Sequence, residues 1–179
     1  VPAEAECFIC HKENNVAVPI GIKPQSLNAT YTYATGSMNQ LQKWINIGYL
    51  ENNLPANITT VVDYSDTSQN LELRVRSYLD INCAHCHKEG SHCDYRPIRL
   101  AFDETATPSN LGICIAPEEN INSALTNIIT PNNFNRSVIH FRMNTTDEAT
   151  RMPLIGRNLI HTEGVQLIED WINTLTPCN

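Results

Sequence analysis

The sequence predicts a mainly α-helical fold made of two small units with long loops, residues 1–60 and 61–179, and three observations lead to it. The pattern C-x-x-C-H occurs twice, at residues 7–11 and 83–87. Each copy is followed by a loop-rich stretch and then by an amphipathic helical pattern. Between the units, residues 51–70 are rich in Asn, Asp, Ser, Thr and Pro and read as a linker.

Taken in chain order, the first closing helix is predicted over residues 39–50, where Leu41, Trp44, Ile45 and Gly48 fall on one face. A second helix starts near Ser68 and carries Leu71, Val75, Tyr78 and Leu79 towards the second pattern. The last spans residues 162–175, with Val165, Ile168, Trp171, Ile172 and Leu175 three or four apart. Hydrophobic residues make up 41% of the chain, so it is globular, yet only 7% is aromatic. That is a thin supply for two cores, and a large prosthetic group inside each would make up the shortfall.

Charge and hydropathy exclude several partners. The net charge is −7, and no basic cluster is present to track a phosphate backbone, so nucleic acid is not expected. The longest apolar runs are too short to span a bilayer, so no transmembrane segment is expected. No signal-peptide pattern precedes Cys7, which leads to the expectation of a processed chain.

Seven cysteines is a high count for 179 residues, and their placement decides their use. C-x-x-C-H is the attachment sequence for c-type haem. Cysteines at i and i+3 on a short helix reach the two vinyl groups of one porphyrin and add to them as thioethers. The following histidine offers its imidazole to the iron. Cys7, Cys10 and His11 are thus expected to hold one covalently bound haem c, and Cys83, Cys86 and His87 a second. A four-thiolate zinc site would not need a histidine directly after each second cysteine, yet both copies have one. A thioredoxin-like motif would need a strand–helix context, and none precedes either copy.

The sixth iron ligand sets the potential: methionine raises it and a second histidine lowers it. For the second haem the expectation is Met152, in a Met-Pro pair upstream of the closing helix, where proline stiffens the loop that holds a weak ligand. For the first haem Met38 is the expectation, just before the first closing helix, with His161, His85 and His92 open as alternatives. Of the three other cysteines, a Cys93–Cys114 bridge would contribute about 3 kcal/mol on the chain-entropy model, while the pairing among Cys93, Cys114 and Cys178 stays open. Cys178 would then be left over, or pair with either of them or with another subunit.

The chain resembles a family of exported di-haem c-type cytochromes. The matching islands include Pro2-Ala3-Glu4, Pro19-Ile20-Gly21 with Leu27-Asn28, and Asn39-Gln40-Leu41 with Trp44. They continue through Tyr78-Leu79-Asp80-Ile81-Asn82 into the second C-x-x-C-H, then Leu111-Gly112, Ser137-Val138 and Arg142-Met143. They end with residues 151–157 (RMPLIGR), His161-Thr162-Glu163-Gly164-Val165 and Trp171-Ile172. The resemblance implies a periplasmic or cell-surface electron carrier built mainly of helices, as two cytochrome c-like units each wrapped around one haem. Members commonly carry a β-rich domain ahead of the first motif, and the start of this sequence close to Cys7 leads to the expectation of a processed or separately encoded form. Met38 falls where the family has no fixed methionine, whereas His85 and His161 fall at recurrent positions.

The functional expectation is one-electron transfer between redox protein donors and acceptors outside the cytoplasm, not catalysis. Two haems in so short a chain must lie close together. Exposed haem edges at both ends would let copies stack into a homo-oligomer or filament, with a spare Cys178 as a further link. The alternative is a di-haem peroxidase, although enzymes of that name are longer and space their motifs further apart. A haem-bearing sensor module ranks below both.

Overall fold

The computed structural model describes residues 3–178; Pro2, part of the first island of resemblance, lies outside them. Two helices of useful length anchor the structure, and the sequence explains both. Helix α4 (Leu71–Asn82) begins where the Asn70 side chain accepts from the Leu73 N–H, and it buries Val75, Tyr78 and Leu79. Helix α6 (Thr162–Ile172) buries Val165, Leu167, Ile168, Trp171 and Ile172 on the face that its apolar spacing defines. The two pack against each other, and Leu100, Leu111, Ile128 and Ile129 from the intervening loops close the core around them.

Mainly α is not what the chain adopts. Helix and 3-10 turn account for about 30% of residues and strand for about 9%. Besides α4 and α6 the helices are short: α1 (Glu4–Cys10), α2 (Pro24–Leu27), α3 (Gln40–Asn46) and α5 (Val138–Met143). Two antiparallel hairpins occupy much of the N-terminal portion. Strands β1 (Lys12–Glu13) and β2 (Val16–Ala17) form one; β3 (Thr30–Tyr33) and β4 (Gly36–Asn39) form the other, with Tyr31 opposite Met38. Nor do the two expected cytochrome c-like units appear as equivalents. The main core is drawn wholly from residues 75–172, while Leu41 is the only fully buried hydrophobic residue described ahead of Val75. The physical reason is composition: apart from 3-10 turns at Pro108–Leu111 and Phe134–Arg136, residues 84–137 and 144–161 lie in turns, bends and loops, where Asn, Thr, Ser and Pro compete with helix.

The N-terminal portion is tied to the core by polar contacts. Lys23 Nζ lies 2.6 Å from Asp80 Oδ1, whose carboxylate is fully buried at the end of α4 and also accepts from the Phe102 N–H. The Asn14 N–H donates to the Gly90 carbonyl at 2.8 Å. Gly90 has φ +73°, and a Cβ there would lie 2.5 Å from Asn14 Oδ1, so this approach requires glycine.

The pairing that the sequence left open resolves against a Cys93–Cys114 bridge. Cys114 pairs with Cys178, and Cys93 is a free, buried thiol. The chain after α6 is held beside residue 132: Asn132 donates from its backbone N–H to the Ile172 carbonyl and from Nδ2 to the Leu175 carbonyl. That path brings Cys178 to Cys114, and Cys178 is therefore no spare thiol for joining copies. Among the described residues no helix is long and apolar enough to cross a membrane.

Candidate functional site

Both C-x-x-C-H motifs begin on or next to a helix, for local reasons. Cys7 and Cys10 lie on α1, and His11 caps it by donating its N–H to the Cys7 carbonyl. The second motif continues the end of α4 as tight turns: Cys83 and Ala84 donate to the Leu79 carbonyl, and Cys86 and His87 donate to that of Cys83. Ser91 Oγ then bonds the Cys86 and Lys88 carbonyls and folds the following loop back.

A cleft of about 380 Å³ opens beside the second motif, its wall carrying Cys83, Cys86, His87 and Met152. Apolar side chains such as Leu100, Ile128 and Val138 form its floor, and it reaches the first motif at Cys10. Burial pushes the Cys83 thiol up to about 12. Burial raises Cys86 as well, with the Cys10 and Cys93 thiols adding to it. Burial, reinforced by Arg96, holds His87 down to about 4, so its imidazole is neutral at pH 7. His87 Nδ1 is buried without a hydrogen-bond partner. In the first motif His11 is exposed, and its Nδ1 lies 3.0 Å from the Val18 carbonyl. That contact places the proton on Nδ1 and leaves the Nε2 lone pair for a metal. Two thiols, a neutral imidazole and a thioether sulfur around an apolar cleft fit a covalently held haem.

The motifs are neighbours in space. The ligating atoms of Cys10, His85 and Cys86 all lie within 4.8 Å of one another, and Cys86 Sγ lies 2.9 Å from the Ile9 carbonyl. The remaining expected ligands separate sharply. Met152 is half-buried in the cleft wall, as is His85. Met38 is exposed on β4, its Sδ accepting from Asn46 Nδ2 at 3.6 Å, and it does not line the cleft. His92 is half-buried outside the lining. His161 lines the cleft, but both ring nitrogens face phenols: Nδ1 lies 2.9 Å from Tyr78 Oη and Nε2 lies 3.4 Å from Tyr64 Oη.

Tyr78 and a rim of arginines carry no role in the sequence reading. Tyr78 is stacked on His161, and burial pushes its hydroxyl up to about 12. Gly164 makes this arrangement fit, since a Cβ there would fall 2.1 Å from Tyr78 Oη. Gly164→Ala is expected to break the Tyr78–His161 contact and cost about 2 kcal/mol through overpacking, measured by denaturant unfolding. Arg142 and Arg157 also line the cleft, and Arg157 Nε is buried without a partner. Both fall in the matching islands, but only their folded positions put them at the cleft, because their spacing in the chain matches no ligand pattern. Against this geometry, no family model, no curated protein and no solved structure matches the chain.

Proposed function

We propose that this chain is a di-haem c-type electron carrier working in the periplasm or at the cell surface, as its resemblance to exported di-haem cytochromes suggests. The observation that carries the reading is the second motif set in the wall of an apolar cleft, with a neutral, unpartnered His87 and with Met152 in the same wall. Cys83 and Cys86 would hold the haem by thioethers, and His87 and Met152 would be its two axial ligands. Cys7, Cys10 and His11 would hold the other. The bound haems would supply reversible one-electron iron chemistry, and the protein sets their potential and access.

The chain's own residues do the rest. The Val18 carbonyl fixes the tautomer of His11, and His87 Nδ1 is buried beside the cleft. Arg142 and Arg157 line the cleft and would offer positive charge to haem carboxylates, with Arg157 held by the Met143 carbonyl at 2.7 Å. The adjacency of Cys10 to Cys86 favours electron exchange within the chain, and redox proteins would act as donor and acceptor.

The purified protein is expected to show a red alkaline pyridine haemochrome equivalent to two haems per chain. Its denatured mass should exceed the polypeptide mass by the same two groups. Cys83→Ser with Cys86→Ser should remove one of them. A denatured mass equal to the bare polypeptide would end the reading.

A further inference from the structure

We propose that His85, a residue inside the second motif, supplies the second axial ligand to the iron held by the first. The inference rests on the di-haem reading and selects one ligand that the sequence leaves open. It stands on juxtaposition: His85 lies with Cys10 and Cys86 in a group whose ligating atoms are all within 4.8 Å. A side chain from the second motif therefore stands beside a cysteine of the first.

The ring is also unspent. His85 Nδ1 is buried and makes no hydrogen bond. A buried polar atom left unpaired costs about 1–3 kcal/mol, which native folds seldom accept without a use for it. Three rivals are committed elsewhere, and His92 lies outside the cleft lining. His161 faces Tyr78 and Tyr64, His140 is buried against Glu169 at 2.7 Å, and Met38 is exposed beside Asn46. Met152 and His85 both line the second motif's cleft, and His85 also stands beside Cys10.

The backbone holds this arrangement from both sides. The Lys23–Asp80 ion pair and the Asn14–Gly90 hydrogen bond clamp the segment after the first motif onto the segments flanking the second. With imidazole on both faces, the first haem takes the lower potential, and the second, with Met152, the higher. The two sites are thereby unequal.

The test is electron paramagnetic resonance with near-infrared magnetic circular dichroism on the oxidised holoprotein, beside a haemochrome count. Wild type should give two low-spin centres, one of them bis-histidine. His85→Ala should keep two haems, lose the bis-histidine signal and turn half of the iron high-spin, with added imidazole restoring the low-spin form. His85→Met keeps a ligating side chain, so it decides the matter if His85→Ala fails to load; its near-infrared band should move to the His/Met position and the potential of that haem should rise. Met38→Leu should leave the spectra unchanged. No bis-histidine signal in wild type, its persistence in either His85 variant, or its loss in Met38→Leu overturns the proposal. A wild-type protein without haemochrome would instead sink the di-haem reading itself.

Discussion

Cys178→Ser is expected to lower the free energy of unfolding by about 4 kcal/mol, the loop-closure value for a bridge of this span. Cys114 and Cys178 are 64 residues apart in sequence, so the bond restrains much of the unfolded chain. The enclosed segment contains α5, α6 and the loop bearing Met152. Domains of this size are usually stable by only about 5–15 kcal/mol, so the loss is a large share of the total. Denaturant unfolding of wild type and variant checks it, and mild reductant should bring wild type to the variant's midpoint. Equal midpoints under oxidising conditions would mean that the bridge is not formed. Alkylation of the unfolded, haem-loaded protein should modify one thiol, Cys93, since Cys114 and Cys178 are joined.

Asp80→Ala is expected to cost about 3 kcal/mol, because it removes two partners of one fully buried carboxylate. The Phe102 N–H, which donates to Oδ1 at 2.9 Å in a buried setting, loses its acceptor. Lys23 loses its counter-ion at 2.6 Å, but its side chain is 32% exposed and water recovers part of that charge. Lys23→Ala should therefore cost clearly less than Asp80→Ala, by denaturant titration. Equal costs would mean that the ion pair, not the bond to Phe102, carries the effect. The substitution also frees the N-terminal portion from the end of α4, three residues before Cys83.

Helices α4 and α6 were legible because their signals are local and repeated: Leu71, Val75, Tyr78 and Leu79 on one face, and Val165, Ile168, Trp171 and Ile172 on the other helix, although α4 begins at Leu71 behind an Asn70 cap rather than near Ser68. The second hairpin had a signal too. Thr30 to Tyr33 alternates β-branched and aromatic residues, and Gly36 at φ +111° follows the turn. A helical expectation for the whole unit obscured it. The cysteine pairing was not legible, since parity cannot choose among Cys93, Cys114 and Cys178, and the choice depends on where Asn132 anchors the chain end. The meeting of Cys10 with His85 and Cys86 was equally hidden. It arises from contacts across more than seventy positions, which no periodicity encodes.

The uneven burial has a consequence for how the chain matures. Because, among the described residues, the segment bearing Cys7 and Cys10 contributes only Leu41 to the fully buried apolar interior, detaching it exposes little hydrocarbon and breaks mainly polar ties. Such regions open at low free energy while the rest stays folded. On the di-haem reading proposed above, the first pair of thiols is thereby the more open of the two to an attachment enzyme.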